Sequence, residues 1–254
     1  MNKTKHPIRV WAVLVWLLVW QAAGMLLAHL WPHGHLLLAT PLTALTRLGQ
    51  LALSIAFWRA VAASAAHIIG GFLISCALAG LLAALAARFR WVRELLTPVV
   101  AAIKAVPVVS FIILALVWLD SRSLTLFISG LMGFPPVYLN VLAGIASTDR
   151  QLLEMARVFR VPFRRQVRAI YLPAVMPYFR SAMSLALGLC WKAGAAAEII
   201  GLPAGTIGAR LYTAKVYFQT PDLFAWTAVI VAVAAGFERL FLFLTDRAAE
   251  RLVR

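Results

Sequence analysis

Two groups of residues in this sequence could do chemistry: a dense set of arginines around one carboxylate, and a few charges stranded inside apolar runs. The first occupies residues 148–173, TDRQLLEMARVFRVPFRRQVRAIYLP, with Arg150, Arg157, Arg160, Arg164, Arg165 and Arg168 around Glu154. The second is Lys104, Lys192 and Glu198. A charge inside a membrane-spanning run is costly in lipid, so each of these three should face a path or a partner. A lysine facing an aqueous path would favour an anionic solute; the alternative is a lysine that snorkels to an interface or pairs within the fold. Tyr138, Asn140 and Trp191 are further path candidates, with packing as the alternative for each.

Catalytic machinery is not recognisable. There is no G-x-x-x-x-G-K-[ST] loop and no H-E-x-x-H, so any ATP would have to be hydrolysed on another chain. Cys76 and Cys190 lie in apolar runs without a C-x-x-C pattern and read as small buried residues. His67 also sits in such a run and reads as packed and hydrogen-bonded. His33 and His35 flank Gly34, but two ligands make an incomplete metal site.

The elements that must position these residues follow from composition. Of 254 residues, 63% are hydrophobic and 13% charged, too few charges to cover a soluble globule of this size. Apolar runs at 10–31, 58–87, 95–119, 124–146, 171–200 and 223–244 are each long enough to cross about 30 Å of hydrocarbon as a helix. The first is too long for a leader's apolar core and has no small-residue cleavage site after it. Residues 32–56 are mixed in character and read as a helix along the outer face. Ala62, Ala66 and Gly70 recur every four residues in the second run, a small-residue face for close helix packing. Pro135 and Pro136, with Gly130 and Gly133, predict a break or kink in the fourth. Gly201, Pro203, Gly205 and Gly208 predict a loop between the last two runs.

A net charge of +15 raises nucleic-acid binding, but the placement of the charges argues against it. With the N-terminus inside, the arm 1–9 and the C-terminal tail carry three Lys or Arg each, the 88–93 turn three, and the 148–173 stretch six. Against those fifteen the opposite side has five: Arg47, Arg59, Arg122, Arg210 and Lys215. That bias puts both termini and the arginine stretch in the cytoplasm. Within the stretch, Thr148 and Gln151 have capping-box spacing, so a helix begins near Asp149. Leu152, Leu153, Met155, Ala156 and Phe159 give it an apolar face, Pro162 opens a second helix, and Pro173 kinks that helix as it enters the membrane. Read from residue types alone, the stretch could equally be a basic loop that only sets orientation.

The stretch resembles the cytoplasmic EAA loop of importer-type ABC transporter permeases. The family's Glu-Ala-Ala, Gly and Ile-x-Leu-Pro positions correspond to Glu154, Met155 and Ala156, to Arg160, and to Ile170, Leu172 and Pro173. Met155 replaces an Ala and Arg160 a Gly. A non-Gly residue in a left-handed helix end costs about 1 kcal/mol, so either that strain is accepted or the turn differs. AAIKAVPVVSFIILALVWL, GFPPVYLNVLAGIASTDRQLLEMAR and WKAGAAAEIIGLPAGTIGARLY resemble the nitrate, sulfonate and taurine branch, over roughly residues 40–250.

The resemblance implies an all-α polytopic membrane protein of six transmembrane helices, with residues 10–254 as a single permease domain of the type I importer kind in a bacterial inner membrane. It implies two permease copies forming the path, two ATPase subunits below that hold the ATP and magnesium, and an extracytoplasmic substrate-binding protein above; no cofactor belongs to this chain and no nucleic acid is a partner. Coupling would run through Leu153, Glu154, Met155, Ala156, Phe159, Arg160, Ile170, Leu172 and Pro173. A substrate such as a sulfonate, nitrate or bicarbonate fits the branch, as do vitamin precursors carried by relatives. An ATPase-independent secondary transporter or channel is the other reading; inverted repeats and membrane carboxylates would favour it.

Overall fold

Which helices cross a bilayer is decided by apolar length, and here nearly every apolar run is a helix. The computed structural model describes residues 10–253, so the arm 1–9 lies outside the described residues. The order is α1 (Val10–Leu30), α2 (Gly34–Leu37), α3 (Pro41–Ala52), α4 (Ile55–Arg88), α5 (Arg90–Ala105), α6 (Val108–Ala115), α7 (Ser121–Ala146), α8 (Arg150–Val158) and α9 (Phe163–Gln166). A π-helical turn (Val167–Tyr171) then leads into α10 (Leu172–Gly201), α11 (Ile207–Val216) and α12 (Thr220–Val253). Among the described residues five helical stretches are long and apolar enough to span: α1, α4, α7, α9 through α10, and α12. The sixth expected span, 95–119, is the pair α5 and α6, bent by 103°.

Of the break or kink expected at Pro135 and Pro136, no break is present, and the sharp bend lies at Pro107 instead. Val106, ahead of Pro107, sits at φ −80°, ψ 133°, the extended conformation that a following proline imposes, and α6 restarts at Val108. Pro135 and Pro136 both lie inside α7, which continues through them. α7 is wedged between α4 and α10, and its Val137, Tyr138 and Val141 are buried against Phe72, Met183 and Leu187 in the main core. Tertiary contacts hold a helix together where its own hydrogen bonds are missing. Before Pro107, Lys104, Ala105 and Val106 are exposed; Pro98 is exposed too, yet lies inside an unbroken α5, so exposure alone does not break a helix.

Close approach to α7 depends on small residues, and of the three that the sequence pattern selects only Gly70 lies against α7, where an added Cβ would sit 3.5 Å from Leu126 Cδ1. Ala62 and Ala66 are exposed. The buried stripe of α4 instead runs through Ala60, Ser64, Ile68, Gly71, Phe72, Ser75, Ala79 and Ala83. A Cβ at Gly71 would collide with the Leu126 carbonyl oxygen, and one at Gly130 would lie only 3.1 Å from the carbonyl oxygen of Gly71. On the other side a Cβ at Gly133 would meet Cys190 Sγ at 2.7 Å, and one at Gly194 Ser129 Oγ at 2.5 Å. At Gly71 and Gly130 backbones can touch because no side chain intervenes.

The outer end is closed by α3. Thr40 caps it through a 3.3 Å bond from Thr43 N, and Pro41 opens its first turn. Arg47 reaches Asp222 of α12 with two nitrogens, Nη2 donating to Oδ2 at 3.1 Å, and this pairing raises the Arg47 pKa above its already high ordinary value. Trp20 of α1 donates to the Ala39 carbonyl at 3.0 Å. The expected outer helix is therefore present and tied to both terminal spans. α11 is an addition, a helix inside the segment where the glycines and prolines predict only loop.

Gly71→Ala should lower the thermal midpoint in detergent by an amount matching about 1–3 kcal/mol. Gly80→Ala, with nothing within 4 Å of its new methyl, should leave it unchanged. Equal effects of the two would remove the close-packing account.

Candidate functional site

The arginine stretch folds as a short helix, a tight reversal and a second helix continuous with a membrane span. α8 starts one residue later than the Thr148 capping box requires. Asp149 is the cap, its Oδ1 accepting from Gln151 N at 2.8 Å, while Thr148 is buried with its hydroxyl unpaired among the described residues. The helix ends in a six-residue Schellman closure: Val161 N bonds Ala156 O at 2.8 Å and Arg160 N bonds Arg157 O at 3.1 Å. Arg160 holds the left-handed position at φ 49°, so the strain expected of a non-Gly residue there is accepted. Pro162 caps α9, and five residues of π-helix, with Leu172 N bonded to Val167 O, intervene before Pro173. Pro173 sits in the first turn of α10, where its missing N–H is not needed. The reversal therefore re-enters the membrane through a π-turn followed by proline.

α8 has two faces. Ala156 is 1% exposed and Leu153 half-buried, so both turn inward; they are not free for a partner as a surface set of Leu153, Ala156 and Phe159 would require. Outward, Leu152, Met155 and Phe159 fall at i, i+3 and i+7, with Val158 beside them. Met155 is 48%, Phe159 74% and Val158 77% exposed. Glu154 is exposed next to this strip. Ile170 and Leu172 are half-buried at the start of the span, and Pro173 is exposed.

The six path candidates separate sharply. Tyr138 and Trp191 are each 2% exposed inside the main core, and Asn140 is half-buried, donating from Nδ2 to Pro136 O of its own helix at 2.8 Å. Glu198 is 1% exposed, and its carboxylate caps another helix: Oε2 accepts from Gly208 N at 3.0 Å and Ser64 Oγ at 2.7 Å. Ser64 Oγ in turn accepts from Ile207 N at 2.9 Å, and Thr206 Oγ1 from Ala209 N at 3.3 Å. Three of the four free amides at the start of α11 are thus satisfied, two of them by side chains of α4 and α10. A Cβ at Gly208 would collide with that of Glu198, which is why glycine stands there. Tyr138, Trp191 and Glu198 do not line a surface of this chain, and Asn140 does so only in part. Lys104 and Lys192 do, both being exposed.

The family model for the binding-protein-dependent transport system inner membrane component matches residues 76–254, which include α7, the arginine stretch and α10. The chain belongs to that family. This permease is 32% identical over 213 residues to an aliphatic sulfonates transport permease protein, SsuC, of Bacillus subtilis, covering 83% of this chain and 76% of the relative. It is 27% identical over 241 residues to the riboflavin transport system permease protein RibX of Chloroflexus aurantiacus, covering 94% and 87%. Over 181 residues it is 25% identical to the bicarbonate transport system permease protein CmpB of Synechococcus elongatus, covering 71% and 64%. It is a transport component of the bacterial inner membrane rather than an enzyme.

Two charged features of the permease escaped the sequence reading. Glu238 of α12 is half-buried in a spanning helix and accepts from Ser184 Oγ of α10. Arg180 of α10 pairs with Asp246 of α12 at 2.7 Å nearer the cytoplasmic end. Their signal was available, since Glu238 falls inside the expected run 223–244. His67 is packed as expected, but Nδ1 has no hydrogen-bond partner among the described residues. Cys190 donates to Ser129 O at 3.1 Å, and Cys76 Sγ lies 3.5 Å from Met183 Sδ; both are free thiols. The side chain of His35 lies outside the described residues.

Relief of the left-handed strain is measurable. Arg160→Gly should slow amide exchange across 156–161 about fivefold, corresponding to ~1 kcal/mol. Faster exchange would mean that the arginine side chain, and not the backbone, holds the turn.

Proposed function

We propose that the outward strip of α8 docks in a groove of a separate ATPase, and that two copies of this permease, two ATPase subunits and an extracytoplasmic binding protein make the working importer. The observation that carries the reading is the strip itself: Leu152, Met155, Val158 and Phe159 exposed on a short helix that the charge bias assigns to the cytoplasm. In water each such side chain forfeits about 1.5–3 kcal/mol that burial would recover, so the helix is built to be covered. Glu154, at the edge of the strip, would add polar contacts to the partner, and Arg160 with the π-turn would fix the angle at which α8 leaves the membrane.

α8 is tied at both ends to membrane spans. It joins α7 through Ser147, Thr148 and Asp149, and joins α10 through α9 and the π-turn without a flexible linker. α7 and α10 pack closely: Cys190 Sγ of α10 lies against Gly133, Ser129 Oγ of α7 against Gly194, and a Cβ at Gly144 would sit 3.0 Å from the Val175 Cα. Displacement of α8 by ATPase closure would therefore move α7 and α10 as one body, which is the lever needed to alternate access. Two exposed lysines in the membrane domain, and relatives named for sulfonates and bicarbonate, support a small anion as the solute. A relative named for riboflavin marks how far the substrate can vary within the family.

Phe159→Asp should abolish co-purification of the ATPase, a loss of at least about tenfold, while the permease still reaches the membrane and elutes as a single species. Retention of the ATPase at wild-type stoichiometry would contradict docking through this strip.

A further inference from the structure

α10 has a second face, turned away from α7. Ser181, Ser184, Gly188 and Lys192 recur along it at intervals of three or four residues, so they form one stripe. From α12, Glu238 joins the stripe by accepting a hydrogen bond from Ser184 Oγ. Together with Leu185 and Leu189 these side chains line an open recess of about 410 Å³. Gly188 has nothing within 4 Å of where a Cβ would be, which leaves a notch between Lys192 and Ser184.

The placement of this stripe in depth gives it meaning. Lys192 lies nine residues from the outer end of α10, roughly 13 Å along the axis, and Ser184 is about 12 Å deeper still. With the outer end of α10 at the outer boundary of a hydrocarbon layer about 30 Å thick, both levels fall within that layer. Lys192 is exposed and belongs to none of the ion pairs among the described residues. A lysine and a glutamate sharing an open recess at that depth would be costly against lipid tails, so the recess faces water or solute. Arg239, about 100° round α12 from Glu238, is the adjacent exposed cation, while Arg180 is already taken by Asp246.

We propose that this recess is a solute subsite on the translocation path. It takes the anionic end of a small organic solute at Lys192 and a hydrogen-bond-donating or cationic end at Glu238. The second half follows from the carboxylate. Glu238 already acts as an acceptor toward Ser184, and a carboxylate oxygen in that role calls for a solute that turns a donor toward it. Ser184, bonded to Glu238, holds the carboxylate against α10 and fixes its distance from Lys192. The inference rests on the permease reading above and adds to it a location and a charge pattern for the solute.

Gly188→Cys tests it, because the new side chain fits without displacing a neighbour. The variant is prepared in membranes with the ATPase co-expressed and is treated with 2-sulfonatoethyl methanethiosulfonate, an impermeant anionic thiol reagent. Unsubstituted protein, with Cys190 buried and Cys76 half-buried, supplies the background. The introduced thiol should label, Lys192→Met should slow the labelling about tenfold, and Glu238→Gln, which keeps the acceptor for Ser184, should speed it. 2-Aminoethanesulfonate should protect better than ethanesulfonate, and Glu238→Gln should erase that preference. An inert Gly188→Cys, meaning a face turned to lipid or sealed against another copy, would overturn the proposal, as would a rate indifferent to Lys192→Met. Equal protection by the two sulfonates would overturn the donor end. ATPase recovery is scored separately: its loss with labelling intact would strike the coupling reading and leave the subsite standing.

Discussion

Close approach of α7 to α4 on one side and to α10 on the other governs this fold. Gly71 and Gly130 bring the first pair to backbone contact, and Gly133 and Gly194 bring the second within reach of Cys190 and Ser129. Between lipid-facing helices there is little hydrophobic drive to associate, so contact area and shape must supply the attraction. That clamp explains why α7 survives two consecutive prolines. It also explains why the cytoplasmic reversal, strung between the ends of α7 and α10, is anchored to the most closely packed part of the molecule.

Polar groups in the membrane domain are placed by what packs against them. Glu198 looks from the sequence like a charge waiting for a path, yet it is consumed in holding the start of α11 against α4 through Ser64, Ile207 and Gly208. Glu238 and Lys192, by contrast, sit at an open recess. Whether a membrane charge serves architecture or transport depends on which face of its helix meets a neighbour, and helix period alone does not say which face that is.

The same limit separates what the sequence discloses from what it hides. Hydropathy locates α1, α4, α7, α10 and α12, and the spacing from Glu154 to Pro173 locates the reversal, because both depend on local composition. Strain at Arg160 is equally legible, since left-handed backbone is a property of one residue, and it is found at φ 49°. The remainder requires tertiary knowledge. Ala62 and Ala66 fit the small-residue spacing but face outward, while Gly70, the third member of that pattern, and its neighbour Gly71 lie against α7. Pro107 stands at a bend of 103° while Pro135 and Pro136 lie buried in an unbroken helix, and the residue type alone does not separate the two cases. α11 is hidden because Gly201, Pro203, Gly205 and Gly208 read as loop, and its start is stabilised from elsewhere in the chain. In α8 the inward turn of Ala156 and the outward turn of Val158 are likewise set by what lies behind the helix.

If the outward strip of α8 touches an ATPase in the membrane, the two must lie within cross-linking distance there. Met155→Cys, exposed on that strip, should form a disulfide or short bifunctional cross-link to an ATPase subunit in native membranes, and ATP should alter its yield without abolishing it. A permease that never cross-links to an ATPase from this position, yet moves solute when reconstituted alone, would contradict the coupling mechanism and make the protein a self-contained transporter.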